Sequence, residues 1–178
     1  MTKKIDFYFD FISPYSYLAH KRIIGLNNRD KFNYKAILLG GLHNLGGITA
    51  PAFNERKMKN MRNDCMLIAE KNKIDFTWNE KFPINSLYLM RGYLFINHNK
   101  KDKFFDVCFD AYWKNNEDIS NGETIKNILF SDFKGEIKSL GAWGGDFILA
   151  SSSELTTDYF RNKGYNDIFK YNELIMNQ

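Results

Sequence analysis

The chain has 178 residues, 44% of them hydrophobic and 26% charged, a balance that excludes an intrinsically disordered segment. With 16 Phe and 10 Tyr it carries enough large apolar surface for a real core. Its net charge of +4 is mild, and no block of like charge points to a nucleic-acid partner.

Asp6 and Asp10 interrupt the apolar N-terminal run, so it does not read as a signal peptide, and no stretch is long enough to span a membrane. The expectation is a soluble, cytoplasmic protein of one domain, or a core carrying an insertion. Ile5, Phe7 and Phe9 alternate with Asp6, Tyr8 and Asp10, which predicts a strand. Ser13-Pro14 then marks a helix start, with Ser at the cap and Pro where a missing N–H costs nothing. A helix is predicted from Tyr15 to about Asn28, and a second strand from Asn33 to Leu39 with Tyr34, Ala36 and Leu38 on one face. Such a β-α-β opening implies parallel strands and a right-handed crossover. The glycine-rich stretch Gly40 to Gly47 reads as a loop.

After Pro51 the period becomes helical, with Met58, Met61, Cys65 and Ile68 on one face. Phe82-Pro83 breaks the chain, and Asn85 or Ser86 caps a helix predicted to turn Leu87, Met90 and Leu94 inward. A third helix presents Phe104, Val107, Cys108, Ala111 and Tyr112, and a short fourth, from about Asn121, presents Ile125, Ile128 and Leu129. The tail reads as strands over Glu136–Leu140 and Asp146–Ser151, joined by a turn at Gly141 to Gly145. A last helix runs from Thr156 to Lys163 and stops at Gly164.

Ser13 places a hydroxyl beside the unsatisfied N–H groups of a helix start, where the dipole favours an anion. The stretch Asp6 to Ala19 resembles the N-terminal signature of the DsbA-like thioredoxin branch that contains kappa-class glutathione transferases and 2-hydroxychromene-2-carboxylate isomerases. Ordered followers strengthen the likeness: Ala50-Pro51; Arg56-Lys57 through Met61 and Asp64; Phe82-Pro83 to Leu87 with Arg91; and Ala111 to Trp113 with Asn116 to Ser120. Together they cover roughly residues 4–130, and the isomerase subgroup matches the opening best. The resemblance implies an α/β, thioredoxin-like (DsbA-like) core made of residues 1–50 and 131–178, with a helical insertion over 51–130. It implies glutathione as cofactor, Ser13 as the hydroxyl that activates its thiol, and Lys57 as a glutathione contact. Asn85 and Arg91 would line the substrate side. The family's Asn before its proline pair falls at Ile48 here, so that side-chain contact is absent.

The C-terminal part departs from the family. Its closing cis-proline loop has no counterpart, because the chain has no proline after Pro83, and the loop that holds the γ-glutamyl end is missing too. A non-proline cis bond costs ~2.5–4 kcal/mol, so another residue would not silently replace that proline. Lys138 to Ala150 and Tyr159 to Tyr165 instead resemble the extreme C-terminus of a GHMP-kinase-like family, without any phosphate-cradling loop. The chain thus reads as a fusion of two truncated genes or as a divergent tail.

Other residues carry plainer readings. His20, His43 and His98 share no metal-ligand spacing, so no metal is expected. Cys65 and Cys108 stand far apart on apolar helical faces and, like Trp113, read as core. Two function classes remain. One is a glutathione-dependent isomerase or transferase acting on a small conjugated, aromatic-derived substrate, whose thiolate adds to a C=C, permits rotation and leaves. The other is a degenerate thioredoxin-like binding module. The partner is a small molecule rather than a membrane or nucleic acid, and a homodimer stays open.

Overall fold

A computed structural model describes residues 3–96, 98–120, 122–130, 132–139, 148–154, 156–163, 165–170 and 173. The chain divides into two compact units, Met1–Leu129 and Phe130–Gln178.

The first unit opens with strand β1 (Ile5–Phe9), helix α1 (Pro14–Gly25) and strand β2 (Phe32–Ala36). The strands pair in parallel from Ile5↔Phe32 to Phe9↔Ala36, as the β-α-β reading requires. Helix α1 ends earlier than the sequence suggests: Leu26 N–H returns to the Arg22 carbonyl and Asn27 takes a positive φ of 52°. A left-handed residue just past the last turn is a common way to stop a helix.

Helices α2 (Leu39–Leu45), α3 (Glu55–Asn72), α4 (Leu87–Phe95), α5 (His98–Trp113) and α6 (Gly122–Leu129) follow. Residues 39–45 correct the loop expected over the glycine-rich stretch. Two glycines disfavour a helix by ~1 kcal/mol each, but the start of α2 is held from outside, since the Leu39 N–H donates to Asp10 Oδ2 at 2.8 Å. The inward face of α4 is also corrected. Leu89, Met90 and Tyr93 are buried, whereas Leu94 is 61% exposed, because Tyr93 packs edge-on to Phe9 with ring centroids 4.9 Å apart.

The core is aromatic and joins the β-α-β opening to the helical block. Phe9 and Phe11, at the end of β1, are fully buried. Phe9 meets Phe105 at 4.5 Å, Phe11 meets Phe109 at 5.0 Å, and Phe105 meets Phe109 at 4.7 Å. Burial of each ring is worth ~1.5–3 kcal/mol, with ~0.5–1.5 more for edge-to-face contact. Cys65, Cys108 and Trp113 lie in the same core.

The second unit holds strands β3 (Glu136–Ser139) and β4 (Ile148–Ser151), antiparallel from Glu136↔Ser151 to Ser139↔Ile148, then helix α7 (Thr156–Asn162). A side chain at Gly135 would come within 2.2 Å of the Ser151 carbonyl, so this close approach demands glycine. Phe130, Phe133, Tyr159 and Phe160 pack together there. Leu140, the expected turn at Gly141 to Gly145, Asp146 and Gly164 lie outside the described residues. Among the described residues no helix is long and apolar enough to cross a membrane.

Candidate active site

At the C-terminal end of β1 the chain turns sharply into α1. The Ser13 N–H donates to the Asp10 carbonyl at 2.9 Å, closing a turn over residues 10–13. Ser13 is extended (φ −84°, ψ 112°) and caps α1, with Pro14 in the first helical position. Its Oγ accepts the Ser16 N–H at 3.2 Å. A serine hydroxyl accepts through its lone pairs and donates through its O–H. Capping therefore uses one lone pair of Ser13 and leaves the proton available to an anion outside the helix. The positive end of the α1 dipole favours such an anion.

The elbow is anchored from both sides. The buried Trp113 Nε1–H donates to the Phe11 carbonyl at 2.9 Å. Asp10 is 1% exposed, and its carboxylate accepts the Ile12 N–H at 3.2 Å as well as the Leu39 N–H. Burial pushes the Asp10 carboxyl above its usual range, while the Ser86 hydroxyl and the Leu39 and Ile12 N–H groups pull it back. Sequence reasoning named Asp10 only as a charge in the N-terminal run and Ser86 only as a candidate cap of α4, and gave neither a place at the site. The available signal was an acid closing the β1 run three residues before a capping serine, an arrangement suited to an Asx-turn.

The other candidates stand at different removes. Asn85 and Ser86 precede α4. Asn85 Oδ1 accepts the Leu87 N–H at 3.0 Å, and the adjacent Ser86 brings this helix start to Asp10 and the elbow. Lys57 is exposed in the first turn of α3, where its N–H donates to Asn54 Oδ1 at 3.0 Å. Seven positions on, about two helical turns and ~10 Å along the same face, Asp64 accepts the Tyr15 hydroxyl at 2.8 Å, tying α3 to the first turn of α1. Arg91 is exposed on α4, at five positions or ~140° around the helix from Ser86. No contact brings its guanidinium to the elbow among the described residues.

The chain's own thiols are shut off. Cys65 and Cys108 are buried and unpaired. Burial pushes the Cys65 thiol up to about 12 and the Cys108 thiol higher still. Neither is a thiolate at neutral pH, although Cys65 lies against Tyr15 in the first turn of α1.

His20, fully buried, bonds Tyr34 Oη through Nδ1 at 2.9 Å and Asp106 through Nε2 at 2.8 Å. Arg29 Nη1 donates to both Asp106 oxygens at 2.8 and 2.9 Å. Burial lowers the His20 pKa against the pull of Asp106, so at neutral pH this ring is a satisfied core group. A shallow cavity of about 470 Å³ lies toward the far end of α1, beside Lys21, Lys73, Asp75 and Lys114. Lys114 pairs with Asp75 at 2.7 Å, and Lys21 with Asp110 at 2.6 Å. No group of three or more His, Cys, Asp or Glu could hold a metal among the described residues.

Over 86 residues the chain is 37% identical to the 2-hydroxychromene-2-carboxylate isomerase of Sphingobium xenophagum, a match covering 46% of this chain and 44% of that protein. The chain thus spans less than half the length of the curated relative it matches. The solved structure of a selenomethionine 2-hydroxychromene-2-carboxylate isomerase superposes with a TM-score of 0.59 at 23% identity, over 68% of this chain and 63% of that one, a likeness of fold. A family model for the DsbA-like thioredoxin domain matches residues 4–131. Matched over well above half of its length, the chain belongs to the DsbA-like thioredoxin domain family.

Proposed function

We propose that the protein binds glutathione at the Ser13 elbow and uses it to isomerise, or transfer to, a small conjugated substrate derived from an aromatic ring. The observation that carries this reading is the Ser13 hydroxyl: it caps α1 through Ser16 and keeps its proton for an external anion. A thiol from outside is called for, because burial holds both cysteines protonated. The match to an isomerase over 86 residues supports the reaction class.

The residues present fit a thiol at one end. Lowering a free thiol from a pKa of ~8.5 to ~6.5 takes roughly 2.7 kcal/mol. A charge-assisted hydrogen bond supplies ~1.5–3 kcal/mol and a helix N-terminus ~0.3–1, which together cover it. Lys57, exposed on the α3 face that carries Asp64, would meet a carboxylate of the tripeptide. Asn85 presents its amide NH₂ at the start of α4, since its Oδ1 is occupied by Leu87. Arg91 would act as a wider electrostatic guide for an anionic substrate. Glutathione, when bound, supplies the nucleophile that adds to the conjugated double bond and leaves after rotation.

The second reading, a degenerate binding module, draws on the cap bond of Ser13 itself and on the absence of any proline after Pro83. Retention on immobilised glutathione, eluted by free glutathione, separates the two. The enzyme reading expects retention by the native protein and weaker retention after Ser13→Ala. A native protein that passes through unretarded sinks it.

A further inference from the structure

Asp10 is buried, lies three residues before Ser13, and is not used by the chemistry described above. Its carbonyl closes the 10–13 turn by accepting the Ser13 N–H at 2.9 Å. Its Oδ1 accepts the Ile12 N–H at 3.2 Å, an Asx-turn laid over that turn. Its Oδ2 accepts the Leu39 N–H at 2.8 Å, in place of a cap that Leu38 has no side-chain atom to provide. Ser86 occupies the N-cap of α4 without making a capping bond, and turns its hydroxyl to the same carboxylate. One side chain thus gathers the starts of α1, α2 and α4 at the end of the parallel strands.

Every partner of this carboxylate is a donor. An ionised carboxylate is acceptor-only and suits that set, whereas an amide of the same shape would turn an NH₂ against donors. The middle of the elbow has an independent anchor in the Trp113 bond to Phe11, so losing the Asp10 contacts loosens its ends first.

We propose that Asp10 is a positioning residue: by locking the 10–13 elbow to the starts of α2 and α4, its carboxylate sets where the Ser13 hydroxyl meets a bound thiol. This rests on the reading of Ser13 as the thiol-activating group.

The test uses the full chain, with Asp10→Asn and, as a second route, Leu39→Pro. Of the Asp10 contacts the proline removes the Leu39 N–H alone, at the first position of a helix, where proline is tolerated. Leu38 before it is already extended (φ −94°, ψ 96°). The first readout needs no ligand: amide hydrogen exchange at Ser16, whose N–H reports the Ser13 hydroxyl. Both variants should speed it at least roughly tenfold, the effect of one lost hydrogen bond on a local opening. Ser16 exchange at the native rate in either folded variant overturns the proposal, and Leu39→Pro decides alone if Asp10→Asn does not fold.

The second readout is the ultraviolet thiolate absorbance of bound glutathione against pH. Its midpoint should rise by roughly half a unit or more in each variant, since a displaced donor loses part of a charge-assisted bond. An unshifted midpoint in variants that bind glutathione also overturns it. A native protein that binds no glutathione removes the function proposed above, and Ser16 exchange then still decides whether Asp10 positions Ser13.

Discussion

Ser13 does two jobs in this account, and substitutions can separate them. Ser13→Ala removes the acceptor for the Ser16 N–H, which costs about 1 kcal/mol in a helix cap. In a chain of this size that lowers the melting temperature by ~2–4 °C. Ser13→Asp keeps a capping oxygen and adds a negative charge at the α1 N-terminus, worth ~0.3–1 kcal/mol, so its melting temperature should equal or exceed the native one. At neutral pH, however, that carboxylate has no proton to donate and repels a thiolate. Both variants should therefore raise the pKa of bound glutathione by ~1–2 units, the equivalent of a lost charge-assisted hydrogen bond. Calorimetric unfolding and the thiolate titration read the two jobs independently. A native titration in the Asp variant would refute the donor role and leave Ser13 as a cap.

Four further outcomes are expected. Burial raises the Asp10 carboxyl above 3.8, so its share of stability is full below that value and is lost as pH rises through the raised one. The stability of the native chain relative to Asp10→Asn should therefore decline from about pH 4 upward, and denaturant midpoints across that range check the sign. Asp106→Ala takes the acceptor from the fully buried His20 and from Arg29, and should destabilise the first unit by ~1–3 kcal/mol in denaturant melts. His20 titrates below its usual 6.5, so it contributes stability that is lost as pH falls below that value, and His20→Phe should flatten the slope there. Glutathione should bind roughly 30- to 150-fold more weakly than to a relative with the full clamp, two or three hydrogen bonds at ~1 kcal/mol each being absent; isothermal calorimetry on both proteins measures the ratio.

The β-α-β opening was legible because each signal in it is local. Alternation marks Ile5 to Phe9, and Ser13-Pro14 marks the helix start with the residues that do the capping. Helix α2 was not, because its two glycines argue for a loop and the group that caps it, Asp10, stands 29 positions earlier. The stripe of α3 could be read from period alone. That of α4 could not, since Leu87 and Leu94 are as apolar as Leu89 and Tyr93, and only the ring of Phe9 decides which side turns inward. Phe105 and Phe109 escaped notice on α5 for the same reason, although they sit at the centre of the aromatic core. At the site, Ser13 was found from its position, whereas Asp10 looks in sequence like an ordinary solvent-facing acid. Its importance comes from donors supplied by Leu39 and Ser86, which no spacing rule links to it.

The proposed chemistry requires that the Ser13 elbow hold a thiol and make it more acidic. The direct measurement is an ultraviolet pH titration of glutathione bound to the native protein, at a concentration that calorimetry shows to be saturating. The thiolate is expected to form about one to two units below the ~8.5 of a free thiol. Saturable binding with the thiol titrating at its free value, or no binding heat at millimolar glutathione, would contradict it.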